Sequence, residues 1–139
     1  MFAIRSFRPE DTEAVADLWH RCGLVHATND PRKDCARKQK VGAELFLIGL
    51  LDSEIIASAM AGYEGHRGSI NYLAVCPKHQ RHGYGRQMMD EAERLLRAAG
   101  CAKINLNVRT SNTKVLAFYR AIGFIQDDVI GLGKRLEHD

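Results

Sequence analysis

Val75-Cys76-Pro77-Lys78-His79-Gln80-Arg81-His82-Gly83-Tyr84-Gly85-Arg86 is the stretch that decides how this chain is read. A strand-like apolar run, Ser69 to Cys76, leads into it. A helical stripe leads out of it, with Met88, Ala92, Leu95, Leu96 and Ala99 on one face and Gly100 as the stop. A Gln-x-x-Gly-x-Gly turn (Gln80, Gly83, Gly85) at a strand-to-helix junction lets backbone N–H groups close around a phosphate. Gly83 and Gly85 have no Cβ to hold the ligand off, and the helix N-terminus adds unpaired donors and a favourable dipole. Arg81 and Arg86 supply charge at the rim, with His82 and Tyr84 between them. Ordinary turns carry the same short glycine pattern, so the flanking sequence has to decide.

Outward from this loop, the chain reads as a run of short elements. Phe2 to Phe7 alternates as a first strand. Pro9 with Glu10, Asp11 and Glu13 starts a helix whose Val15, Leu18, Trp19 and Cys22 recur at i, i+3, i+4, i+7 before Gly23. Asn29-Asp30-Pro31 opens a second, heavily charged helix to about Lys40. Glu44 to Leu51 and Glu54 to Tyr63 form a hairpin across Asp52-Ser53, and Gly65-His66-Arg67-Gly68 turns into the strand Ser69 to Cys76. After the loop's helix come a strand from Lys103 to Val108, a helix from about Asn112 to Ile122, and two short strands within Phe124 to Leu136. The order is β-α-α-β-β-β-α-β-α-β-β. Periodicity yields that order but not the topology.

Composition narrows the classes. A chain of 139 residues is expected to be one domain with a single core, and 45% hydrophobic with 27% charged residues argues against disorder. No apolar run approaches the ~20 residues of a membrane helix, and Met1-Phe2-Ala3-Ile4-Arg5 reads as a strand rather than a leader, so a cytoplasmic location is expected. A net charge of +3 without a basic, aromatic-studded stripe speaks against nucleic acid. Cys22, Cys35, Cys76 and Cys101 lack metal-ligand spacing, so no metal is expected, and three of the four fall at apolar positions where a thiol reads as a small apolar residue.

A second signature completes the pattern: Asn112-Thr113-Lys114-Val115-Leu116-Ala117-Phe118-Tyr119-Arg120-Ala121-Ile122-Gly123-Phe124. Together the two stretches resemble the GNAT superfamily of acyl-CoA-dependent N-acyltransferases, over nearly the whole chain. Gly62 to Ser69 and Leu132-Gly133-Lys134-Arg135-Leu136 resemble its small bacterial YpeA-type branch. The resemblance implies an α/β (α+β) fold: a mixed, mainly antiparallel central sheet with helices on both faces, splayed between the fourth and fifth strands. It also implies a single acetyltransferase domain over 1–139.

The resemblance further implies acetyl-CoA as co-substrate, gripped by Gln80, Arg81, His82, Gly83, Tyr84, Gly85 and Arg86. Its pantetheine arm would lie along Leu73, Ala74 and Val75, whose backbone would polarise the thioester carbonyl. Asn112 would bond the same arm. Tyr119 would be the general acid, since a phenol of pKa about 10 keeps the proton that a thiolate of pKa about 8.5 takes up. Asn112 also reads as a helix cap, and Tyr119 as a packing residue. The family's base position, a glutamate in some members, falls on Ser69, which cannot serve. An ordered water chain is the first substitute and Glu64 the second, with His66 and Tyr72 as further candidates.

The expected function is acetyl transfer to a primary amine of a small molecule or peptide by a monomer or homodimer, with no nucleic-acid or membrane partner. The alternative is a non-catalytic acyl-CoA-binding or regulatory module, which the serine at position 69 favours. A dinucleotide-binding reading fails, because only one Gly-x-Gly pair is present and no acidic residue ends the following strand. The resemblance implies that the acceptor enters through Gly23 to Lys40 and the last hairpin, an entrance that mixes Asp30 and Asp34 with Arg32, Lys33 and Arg37, beside His26 and Asn29. That mixture selects no substrate.

Overall fold

A computed structural model describes residues 1–139, which divide into two compact units: residues 1–105 with Asp139, and residues 106–138. The first unit contains β1 (Phe2–Ser6), α1 (Thr12–Arg21), α2 (Pro31–Gly42), β2 (Phe46–Leu51), β3 (Glu54–Tyr63), β4 (Gly68–Val75), α3 (Tyr84–Ala98) and β5 (Ile104–Asn105). The second contains α4 (Thr113–Ala121). Strand order follows chain order, β1-β2-β3-β4-β5. The first three pairings are antiparallel and β4–β5 is parallel.

Local chemistry explains the joints. Asp52 (φ 50°) and Ser53 (φ 72°) take the left-handed pair that a two-residue hairpin turn needs. Asp30 caps α2 by accepting from the Arg32 and Lys33 amides, and Pro31 fills the first turn, where no N–H is missed. Arg5 holds the buried Asp11 carboxylate with two nitrogens, at 2.7 and 3.0 Å, tying β1 to the approach of α1.

Helices cover both sheet faces. On one, the Phe7 ring stacks on Phe46 at 4.4 Å, and Trp19 of α1 is fully buried against Phe46 and Tyr72. On the other, α3 buries Met88, Met89, Ala92 and Leu96, and its Tyr84 ring stacks on Phe2 at 4.4 Å. Gly49 lies under Phe2: a Cβ there would sit 2.7 Å from the ring.

The carboxy-terminal third departs from expectation. The β5 ladder ends at Asn105 rather than Val108, although Ile104, Leu106 and Val108 still alternate, half-buried, with exposed Asn105 and Asn107. The two short strands expected within Phe124 to Leu136 do not form. Ile130-Gly131-Leu132-Gly133 is interrupted by glycines that weaken any ladder, and Ile125, Val129, Ile130, Leu132 and Leu136 are exposed. No helix is long and apolar enough to cross a membrane.

Candidate functional site

The loop after β4 is built by two left-handed residues. Cys76 returns its amide to the Ile56 carbonyl, Pro77–His79 makes one 3-10 turn, and Gln80 is extended. Arg81 (φ 67°) and Gly83 (φ 82°) then reverse the chain twice before α3 begins at Tyr84. A left-handed arginine costs about 1–2 kcal/mol, and strain of that kind clusters where geometry serves a ligand. The Gln80 amide nitrogen donates to the Val75 carbonyl at 3.0 Å, drawing the loop back onto the end of β4. Arg81, His82, Gly83 and Arg86 are exposed, and no acidic residue occupies the first turn of α3. Space around Gly83 is open, since a Cβ there would meet nothing within 4 Å. The Tyr84, Gly85 and Arg86 amides lie in the turn whose donors have no intrahelical partner. Together these features make an open, cationic cradle of backbone N–H groups suited to phosphate.

The edge of β4 adjoins this cradle. β5 pairs with β4 only at Gly68 and Ser69, so the edge from Asn71 to Val75 has no strand partner. The ladder with β3 takes up Ala74, whose peptide groups pair with Ser58, as those of Cys76 do with Ile56. Of the three residues expected along the arm, only Leu73 and Val75 therefore turn their backbone to the open edge, and Ala74 is a core residue. The Val75 carbonyl is further engaged, by Gln80 and by the Cys22 thiol at 3.3 Å.

A bulge shapes the same strand. Ser58 pairs with Ala74 and Met60 with Asn71, so Tyr72 and Leu73 together oppose Ala59. Tyr72 is left-handed (φ 51°), a conformation unusual for an aromatic residue, and is held from several sides. Its ring stacks on Trp19 at 3.6 Å. The Trp19 indole donates to Ser58 Oγ at 2.9 Å, and Ser58 Oγ donates to the Tyr72 carbonyl at 2.7 Å. The Tyr72 phenol receives a hydrogen bond from Asn29 at 2.7 Å and donates one to Asp34 at 2.6 Å. Burial and the Asp34 partner push its pKa well up, so Tyr72 keeps its proton and is corrected from candidate base to structural donor. Sequence reasoning named Asn29 and Asp34 without their partner. A serine inside the apolar run Ile55–Ala61 was the available signal for this network.

Ser69 is exposed, on the face covered by α1 and α2. Glu64 is exposed in the β3–β4 turn and accepts from the Arg67 and His66 amides, which hold its carboxylate below the ordinary range. A turn-capping carboxylate of lowered pKa is a weaker base, so the geometry gives Glu64 a structural job. In the first unit, burial raises Cys22 to about 11 and Cys35 to about 12, so both stay thiols at neutral pH.

In the second unit, Asn112 caps α4, accepting from the Val115 amide at 3.3 Å, and is exposed. Tyr119 is 7% exposed, with Phe118 and Phe124 edge-on to its ring at 5.2 and 5.3 Å. Burial pushes its phenol up to about 12.

Comparison with known proteins identifies the family. A model of the acetyltransferase (GNAT) family matches residues 9–124. The chain is similar, at 26% identity, to the ribosomal-protein-S18-alanine N-acetyltransferase from Escherichia coli (TM-score 0.77, covering 91% of this chain and 79% of that one). It is similar at 23% to Ard1 from Thermoplasma volcanium (TM-score 0.81, 89% and 82%). At 20% it resembles the PaiA N-acetyltransferase from Thermoplasma acidophilum, solved with coenzyme A (TM-score 0.75, 94% of each).

Proposed function

We propose that this chain, which belongs to the acetyltransferase (GNAT) family, transfers an acetyl group from acetyl-CoA to a primary amine by direct attack on the thioester. The observation that carries the reading is the contiguity of two features: the cationic N–H cradle from Arg81 to Arg86 and the edge of β4 at Leu73 and Val75, which has no strand partner although Gln80 and Cys22 already engage the Val75 carbonyl. A pyrophosphate suits the first, and an amide-bearing arm, hydrogen-bonding like an added strand, suits the second. The solved complex of the Thermoplasma acidophilum relative with coenzyme A supports this assignment.

The step balances simply. The neutral amine's lone pair forms the new C–N bond, and the carbonyl oxygen takes negative charge beside the N–H groups of the β4 edge. The C–S bond then breaks, and the thiolate takes the Tyr119 proton. A phenol raised to about 12 never lacks that proton at working pH. Giving it up is harder than for a phenol in water, and any loss of water around the thiolate raises its own proton affinity in the same way. The amine's own proton leaves through ordered water, because Ser69 is no base and Glu64 is engaged with its turn. The acceptor is an amine of a small molecule or a peptide; the Escherichia coli relative named for S18 alanine supports the peptide class.

The test is an acetyl-CoA turnover screen over free amino acids, aminoglycosides, polyamines and N-terminal peptides. Acetyl transfer to one of these classes is expected. Serine at position 69 and the engaged Glu64 favour a second reading, a binding module without turnover. Tight acetyl-CoA binding with no transfer across the whole screen would select it.

A further inference from the structure

We propose that Lys38 and Ser69 form a carboxylate-binding subsite over the bare backbone of Gly62, so that the acceptor carries a carboxylate several bonds from its reacting amine. This deepens the acyl-transfer reading above and rests on it. Gly62 and Ser69 are paired across β3 and β4, with side-chain positions on the same face. A Cβ on Gly62 would lie 3.1 Å from Ser69 Oγ and 3.6 Å from Lys38 Nζ, so a hydroxyl and an ammonium converge where a side chain is missing. The same Nζ lies 3.6 Å from the Cβ position of Gly42, which Glu44 Oε1 approaches at 3.5 Å from its own side, so the Lys38 head sits between two glycines with its Gly62 side facing the Ser69 hydroxyl. The neighbouring Gly68 directs its Cβ position to Cys101 and Leu96 instead, which puts Ser69 on the side of α1 and α2.

Of the five cations of α2, Lys38 and Lys40 make no ion pair, and of these two Lys40 is exposed. Arg32 is paired with Glu13, Lys33 with Asp139, and Arg37 with both Asp34 and Asp139. Lys38 is half-buried and makes no ion pair or hydrogen bond. Burial lowers its pKa, while the Glu44 carboxylate attracts it without pairing. An ammonium partly withdrawn from water gains from any anion that reaches it, and a carboxylate offers one oxygen to Nζ and another to the Ser69 hydroxyl. Ser69 and Leu73 oppose Gly62 and Ala59 across the bulge, three positions apart on β3, so they are separated by roughly 10 Å at the rise of a strand. An α-amino acid is too short for that span. A long ω-amino acid, or an N-terminal peptide with an acidic side chain, has the required amine and distant carboxylate.

Two arms test the subsite and separate those sources. In one, kcat/KM for acetyl transfer is measured on the ω-amino acids from 4-aminobutyrate to 8-aminooctanoate and on their carboxamides. In the other, Ala-Glu-Ala amide is compared with Ala-Gln-Ala amide. In the favoured arm the acid should outpace its amide roughly 10- to 100-fold, the range of a hydrogen bond to a charged group. Lys38→Met should remove that preference mainly through KM, Lys38→Arg should restore part of it, and Ser69→Ala should weaken it. Amides that match or exceed their acids in both arms, or a preference that survives Lys38→Met, overturn the subsite alone. Acetyl-CoA bound with transfer to no amine at all overturns the transfer reading, and the subsite with it.

Discussion

Tyr119 and Glu64 were both legible as candidates in the sequence, and burial treats them in opposite ways. Tyr119 is buried and its pKa rises to about 12, whereas Glu64 is exposed and two amides lower its own. Tyr119→Phe keeps the packing and removes the proton donor. It should lower kcat roughly 10²–10⁴-fold with acetyl-CoA affinity nearly unchanged. An unchanged kcat, with chemistry rate-limiting, would reduce Tyr119 to a packing residue. Glu64→Gln and His66→Ala should each cost less than Tyr119→Phe, and kcat/KM should rise with pH as the amine loses its own proton. A Glu64 base would place its inflection below the ordinary carboxylate range, because the Arg67 and His66 amides lower its pKa. Such an inflection, lost in the matching mutant with a roughly 10²-fold drop, would identify the base. Lys38 was not legible: its charge is one of many on α2, and its nearness to Gly62 and Ser69 exists only after folding.

Among the elements, the sequence was most legible where a local rule had no competitor. The hairpin at Asp52-Ser53, the β3 span Glu54–Tyr63 and the Asp30-Pro31 start of α2 follow turn and cap chemistry that tertiary packing leaves alone. β5 and the two expected last strands depend on finding a partner, which alternation alone does not reveal. The β4 bulge was hidden for a similar reason, since a left-handed Tyr72 is fixed by Trp19, Asn29 and Asp34 from other elements. Gly49→Val tests the β1–β2–α3 packing. Its side chain would push into the Phe2 ring and the Ala57 methyl, and about 1–3 kcal/mol of lost stability is expected in denaturant unfolding. Stability equal to wild type would show that Phe2 moves aside freely.

For the molecule as a whole, the raised pKa values of Cys22, Cys35 and Tyr119 set a pH limit. Each group keeps its proton in the fold to about 11 or 12, above the ordinary values of about 8.5 for cysteine and 10 for tyrosine. The unfolded chain therefore binds fewer protons at alkaline pH. Stability should be level near pH 7 and fall as pH rises from about 8.5 to 12. A stability that increased over that window would contradict the burial of these groups. Cofactor binding is the claim on which the rest depends, and thermal melting with acetyl-CoA reads it directly. Ligand at 100 times its dissociation constant adds about 2.7 kcal/mol to the folded state, so the melting temperature should rise clearly. Gly83→Leu, which forces a side chain into a left-handed residue and into the phosphate's path, should abolish that rise even where its own baseline is lower. A wild-type melting curve left unmoved by millimolar acetyl-CoA would overturn the acetyltransferase reading.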